Sequence, residues 1–223
     1  DALPISVKVA QAAMDSGVAT RPITDIEAYR HSLQTHIIKT SMVMRPIFSR
    51  AKQDPKRVTY CEGEEDKVLR AVQTVVDEGL AKPILIGRRN VVEMRIKKLN
   101  LRLAIDKDFE LCDPEDDPRY RDYWTSYHEL LERKGVTPSY ARALIRTDNT
   151  VIGALMLHKG QTDAVICGAY GRYKDHFKHV RDIIGCSESA KTLSAMTALM
   201  TDKQTIFITD THVNVTPSVD ELV

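Results

Sequence analysis

Apolar positions along this chain follow two alternating periods. From Asp25 onward, Ile26, Tyr29, Leu33, Ile37, Ile38, Met42 and Val43 recur at three- and four-residue spacing, which predicts one or two helices ending near Pro46 or Pro55. Short apolar runs follow at RVTYC (57–61), PILIG (83–87), FELCD (109–113), AVICG (164–168) and TIFIT (205–209), and each reads as a strand. Helical spacing fills the intervals: EGEEDKVLRAVQTVVDEGLA, closed by Gly79, then NVVEMRIKKLNLRL, RDYWTSYHELLERKG and SYARALIRTDNTVIGALMLHKG. A further apolar helix is expected over 189–200. Strands separated by helices of this length need crossover connections. The fold class is therefore α/β, a mostly parallel sheet with helices on both faces. The polar stretch CDPEDDPRYRD (112–122) suits a loop or a subdomain junction.

Both ends read as parts of longer elements. PISVKVAQAAMDSG has Val7, Ala10, Ala13 and Met14 on one helical face and Gly17 as terminator. TPSVDELV offers Thr216 as N-cap, Pro217 at the first helical position, and Asp220 and Glu221 where the helix dipole favours acids, yet it is less than two turns long. The expectation is an internal fragment of a longer chain.

Composition narrows the function classes. A formal net charge of +1 over 223 residues argues against a general nucleic-acid or membrane surface, so an electropositive site must be a local cluster. Cys61, Cys112, Cys167 and Cys186 are widely spaced with no CxxC pair. That favours neither a disulfide framework nor a zinc ribbon and fits a reducing cytoplasm. The chain contains no phosphate loop of the GxxxxGK[ST] type, no HExxH and no GxSxG, and CGAYGRY lacks the third glycine of a dinucleotide fingerprint.

In parallel sheets ligands gather at the carboxyl ends of the strands. After AVICG come Ala169, Tyr170, Gly171 and Arg172, then a helix carrying Lys174, Lys178 and Arg181 at i, i+4 and i+7. Free amides at Gly168 and Ala169 beside this stripe could hold a phosphate; a solvated helix face with Asp175 and Asp182 as partners explains the same charges. Arg88 and Arg89, after PILIG, are a second, weaker anion candidate. The carboxylates of EGEEDKV are assigned to the helix N-terminus rather than to a cation site. His176 and His179, without a third ligand, are read as surface histidines, and Cys167 as a small buried thiol rather than a nucleophile that Arg172 or Lys174 activates.

From about residue 46 onward, EGEEDKVLRAVQTVVDEGLAKPILIG, ELLERKGVTPSYA, DAVICGA followed by DIIG, and TIFITDTHVNVTPSVDELV together resemble the phosphate acetyltransferase family. VAQAAMDSGVATRPITDIEAYR joined to RPIFSRAK resembles the junction in large bacterial malic enzymes, where an NAD(P)-dependent malic domain precedes a phosphotransacetylase-like domain. The resemblance implies that residues 1–22 are the tail of the malic domain and 23–223 an incomplete phosphotransacetylase-like domain. It also marks departures from an active transferase. Cys167 stands where the family has serine, Lys178 where it has arginine, and Leu131 where an arginine helps hold acyl-CoA; the family's late SRG motif would fall beyond Val223. Loss of an arginine removes a bidentate anion clamp. What the resemblance then implies is a regulatory acyl-CoA sensor without transferase activity, with acetyl-CoA as effector at Gly168, Ala169, Arg172, Lys178, Arg181, Arg88 and Arg89. The fragment itself would hold no cofactor, metal or catalytic residue. Its parent would use NADP or NAD with Mg2+ or Mn2+ to turn malate into pyruvate and CO2, self-associate, and work in the cytoplasm without nucleic acid or membrane. The alternatives are an active phosphate acetyltransferase and a purely structural oligomerisation module.

Overall fold

A computed structural model of the chain describes residues 3–187, 190, 192–201, 204–210, 213, 214, 216, 218 and 219, with side chains of 3–6 and 31–43 outside that description. The chain divides into two compact units, one of residues 50–192 and one that joins 1–49 to 193–223. The 112–122 loop lies wholly inside the first of these.

In the unit of 1–49 and 193–223, α1 spans Leu3–Asp15, and α2 starts at Ile26 and runs to Gln53. Asp25 caps α2, its carboxylate accepting from the amides of Glu27 and Ala28 at 3.0 and 2.9 Å. The helix is single and passes through Pro46, ending two residues before Pro55. Among the described residues of 189–200, the expected helix is not formed. Met196–Met200 is a strand, paired antiparallel with Thr205–Thr209, in register from Met196↔Thr209 to Met200↔Thr205. Ala, Leu and Met favour helix intrinsically, but the pairing with Thr205–Thr209 overrides a preference worth only tenths of a kcal/mol per residue. TIFIT is thus a ribbon strand and has no place in the parallel sheet. The helix expected from Thr216 falls largely outside the described residues.

The unit of 50–192 holds β1 (Lys56–Tyr60), α3 (Asp66–Glu78), β2 (Ala81–Ile86), α4 (Arg89–Lys98), β3 (Glu110–Cys112), α5 (Tyr120–Leu131), α6 (Pro138–Thr147), α7 (Asn149–His158), β4 (Ala164–Ile166) and α8 (Tyr173–Ile183). Its sheet has the order β3-β2-β1-β4 and every neighbouring pair is parallel. The pleat explains the unbroken apolar runs. Ile84 and Ile86 face a core built with Tyr123, Tyr127, Ile145 and α7, whereas Leu85 faces the opposite core of Val68, Leu69, Val72 and Val92. α7 is buried from Thr150 to Met156 without a break, so it has no polar face and no helical period.

Long-range ion pairs lock the sheet. Arg57 at the start of β1 reaches Asp163 before β4 through Nη2 at 2.8 Å, its backbone amide at 2.8 Å, and Nη2 to the Gly160 carbonyl at 3.0 Å. The Arg57 hydrogen bonds hold the Asp163 carboxyl down to about 2. The Arg88 guanidinium likewise depresses Glu64. Carboxyls lowered in the folded state contribute stability above their ordinary range and lose it as pH falls through the lowered values. Stability of this unit is therefore expected to be flat from neutral pH down to the ordinary carboxylate range and to decline between about 4 and 2, the interval in which Asp163 takes its proton. Urea midpoints followed by the fluorescence of Trp124, the chain's one tryptophan, check this. A midpoint that rose on acidification would contradict it.

Candidate ligand site at the strand carboxyl ends

The turns after β1, β2 and β4 and the α6–α7 junction converge on one cleft of about 330 Å³, lined among others by Glu62, Glu64, Arg88, Glu115, Arg146 and Asn149. Backbone and side-chain hydrogen bonds stitch its floor. The Gly63 amide donates to the Ile86 carbonyl at 3.0 Å, and Asn149 Nδ2 donates to the Cys61 carbonyl at 2.9 Å. A methyl group at Gly63 would lie 2.8 Å from that carbonyl and 2.9 Å from Leu85 Cβ, so only glycine lets the turn press this close to β2.

The groups suited to an anion are already occupied from within the chain. The Gly168 amide, at the glycine turn after β4, donates to Glu62 Oε1 at 2.7 Å. Arg88 presents Nε, Nη2 and its backbone amide to Glu64, each at 2.9 Å, a bidentate fork with an extra amide. With Glu65 and Glu115, the cleft carries four carboxylates against the two guanidinium groups of Arg88 and Arg146. Arg89 is turned away, its Nη2 on Asp106 at 2.9 Å and its amide on Asp113 at 2.9 Å.

The α8 cations stand elsewhere. Arg172 is 85% exposed and paired with Asp175 at 2.9 Å, Arg181 is exposed beside Asp182, and Lys178 is exposed on the outer face of the helix. Ala169 is exposed in the turn. Of the residues expected to meet an anion, the structure brings Arg88 and the Gly168 turn to the cleft and leaves Arg172, Lys178 and Arg181 on the solvent face of α8. Leu131, at the position compared with a ligand-binding arginine, is buried in the core at 3% exposure.

The histidines of α8 are not surface residues. His179 is buried, with Nε2 3.2 Å from Asp148 Oδ2, and His176 is mostly buried. At 100° per residue, a basic stripe at 174, 178 and 181 places 176, 179 and 183 on the opposite face, toward α7. His176 braces the glycine turn: Nε2 lies 2.6 Å from the Tyr170 carbonyl and Nδ1 2.7 Å from Thr150 Oγ1. A carbonyl only accepts, so the network assigns the ring proton to Nε2 and leaves Nδ1 to accept from the threonine. Asp148 also caps α7, accepting from the Thr150 amide at 2.9 Å. Burial works to raise its carboxyl, but the His179 hydrogen bond and the α7 amides outweigh burial and hold it below its usual range. Among the described residues, no group of three or more His, Cys, Asp or Glu side chains is arranged to hold a metal ion, and no helix is long and apolar enough to cross a membrane.

A parallel sheet covered by helices on both faces, with a charged cleft beyond the strand carboxyl ends, defines an α/β domain with its candidate site where such sheets place theirs. Residues 42–223 match the family described as phosphate acetyl/butaryl transferase, and the chain belongs to that family. It is 49% identical over 218 residues to the NADP-dependent malic enzyme of Haemophilus influenzae, covering 98% of this chain and 29% of that protein. The NAD-dependent malic enzyme of Rhizobium meliloti is 46% identical over 221 residues, with 99% and 29% covered. A solved phosphotransacetylase from Staphylococcus aureus superposes with a TM-score of 0.69 at 20% identity, over 80% of this chain and 54% of that one, which establishes the shared fold. The chain thus spans under a third of the length of these malic enzymes.

Proposed function

We propose that the chain is the phosphotransacetylase-like portion of an NAD(P)-dependent malic enzyme, and that it binds an acyl-CoA effector such as acetyl-CoA without transferring its acyl group. The observation that carries this reading is the internal occupation of the cleft: Glu62 sits on the Gly168 amide and Glu64 on Arg88. Inorganic phosphate, the acceptor in transfer chemistry, would have to displace both carboxylates before meeting a donor. The exposed cations Arg172, Lys178 and Arg181 on α8 are left to meet the phosphates of an effector arriving from solvent. Malate oxidation, with NADP or NAD and a divalent metal, belongs on this reading to the remaining parts of the parent protein, which self-associates in the cytoplasm.

Isothermal titration of the full-length protein with acetyl-CoA, beside malate turnover at the same concentrations, tests the proposal. Saturable binding that shifts turnover, with no acetyl phosphate formed, is the expected result. Replacing Arg172, Lys178 and Arg181 together by alanine is expected to weaken acetyl-CoA binding at least ~10-fold, the equivalent of about 1.4 kcal/mol. Unchanged affinity in that variant would remove the α8 cations from the site. Acetyl phosphate formation would replace the sensor reading with an active transferase.

A further inference from the structure

Two of the four cysteines meet where β1 and β4 end. The register pairs Tyr60 with Ile166, so Cys61 and Cys167 are the next residues on adjacent parallel strands, and the Cys61 amide donates to the Ile166 carbonyl at 3.0 Å. Both side chains belong to the same core cluster, on the face covered by α7. Cys61 Sγ points at that helix: a Cβ built on Gly153 would lie 2.6 Å from it and 3.2 Å from Val165 Cγ1. Alternation along β4 sends Cys167 to the same side as Val165. Adjacent strands lie ~4.8 Å apart, inside the roughly 4.4–6.8 Å range of Cα separations that a disulfide bridges. Cys61 is fully buried, whereas Cys167 is only partly so and opens onto the glycine turn.

From this juxtaposition we propose that Cys61 and Cys167 are a redox-active dithiol, which a hydroperoxide converts to a disulfide across the carboxyl ends of β1 and β4. The proposal stands independently of the effector reading. The chemistry of the two thiols differs in the required direction. Cys167 is the one that ionises first, because the Cys61 thiol donates a hydrogen bond to it and His176 stands nearby; Cys61 is pushed well above its ordinary value by the same contact and by burial. Neither Arg172 nor Lys174 is needed to activate it. In the first step the Cys167 thiolate attacks one peroxide oxygen and the O–O bond breaks, giving a sulfenic acid and an alkoxide or hydroxide that takes a proton from water. In the second, Cys61 sulfur attacks the Cys167 sulfur, the S–OH bond breaks, and the hydroxyl leaves as water with the Cys61 proton. The two sulfurs lose two electrons in all, and the peroxide gains them. Cys112 is buried, its thiol pushed up by burial, and β2 separates its strand from that of Cys61; Cys186 is exposed and is not part of the core cluster that holds Cys61 and Cys167.

The full-length wild-type protein is treated with stoichiometric hydrogen peroxide, unfolded in urea containing N-ethylmaleimide so that buried thiols are also blocked, digested without reductant and mapped by mass spectrometry. The expected product is one cross-linked peptide pair joining Cys61 to Cys167, abolished by dithiothreitol, with Cys112 and Cys186 still maleimide-labelled. In Cys61→Ser the sulfenic acid on Cys167 is expected to accumulate and be trapped by dimedone. The proposal is overturned if Cys167 proceeds to sulfinic acid in the wild type without a cross-link, if it bridges to Cys186 or to a second chain instead, or if both thiols remain labelled.

Discussion

Replacing Gly63 with alanine is expected to destabilise the 50–192 unit by about 3 kcal/mol, at the upper end of typical overpacking costs, and to dismantle the ligand cleft. The added methyl would meet the Ile86 carbonyl oxygen at 2.8 Å, Leu85 Cβ at 2.9 Å and the Ile86 amide nitrogen at 3.1 Å. Two of these three atoms are main chain of a central strand, so no side-chain rotation relieves the contact. The turn must lift away from β2 instead. Lifting it breaks the hydrogen bond from the Gly63 amide to the Ile86 carbonyl. It also moves Glu62 and Glu64, the flanking residues that hold the Gly168 amide and Arg88. The variant should therefore show a lowered urea midpoint by Trp124 fluorescence and, in the same preparation, weaker binding of acetyl-CoA, the effector proposed above. A midpoint within experimental scatter of the wild type would show that the turn has room the structure does not give it.

Gly153→Ala sets two effects of opposite sign against each other. Alanine is the better helix former by ~1 kcal/mol, and at an exposed helical position the substitution would stabilise. Gly153 lies inside α7, packed on the sheet, where the new methyl would approach Cys61 Sγ to 2.6 Å and Val165 Cγ1 to 3.2 Å. Both neighbours are held in the core, Cys61 with no exposed surface at all. Overpacking of a close-packed interior costs ~1–3 kcal/mol. Contact below 3 Å belongs at the top of that range, so packing wins and a net loss of about 2 kcal/mol is expected. Chemical denaturation measures it directly; a stabilised variant would mean that α7 can shift from the sheet at little cost.

The strands of the parallel sheet were legible because β-branched and aliphatic runs bounded by glycine or charged residues have few other uses in a chain of this composition. PILIG shows why: Ile84, Leu85 and Ile86 are each demanded by a core, on alternate faces. α7 was readable as apolar but not as to its facing, since a helix buried all round has no period. Met196–Met200 was misread because its residue types favour helix and only its partner at Thr205–Thr209 makes it a strand. In the site, charges were visible and their partners were not. Glu64 meets Arg88 across 24 residues and Glu62 meets Gly168 across 106, separations that no local pattern encodes. The burial of His176 and His179 does have a local signal, their angular opposition to the basic stripe at 174, 178 and 181.

The strand order β3-β2-β1-β4 has a consequence for how the chain is made. β1, β2 and β3 leave the ribosome in the order in which they neighbour one another, but the other edge of β1 has no neighbour until Ala164–Ile166 is made, with Asp163 pairing Arg57 across 106 residues. At synthesis rates of ~5–20 residues per second, that edge stays unpaired for on the order of 5–20 s. During the interval Arg57, Thr59 and Cys61, the alternate residues of β1 whose backbone groups face β4, leave those amides and carbonyls unpaired, and the Cys61 side chain is later fully buried. Nascent-chain protection of this edge by a chaperone, or pairing with the same edge of a neighbouring nascent chain, competes with native assembly until β4 emerges.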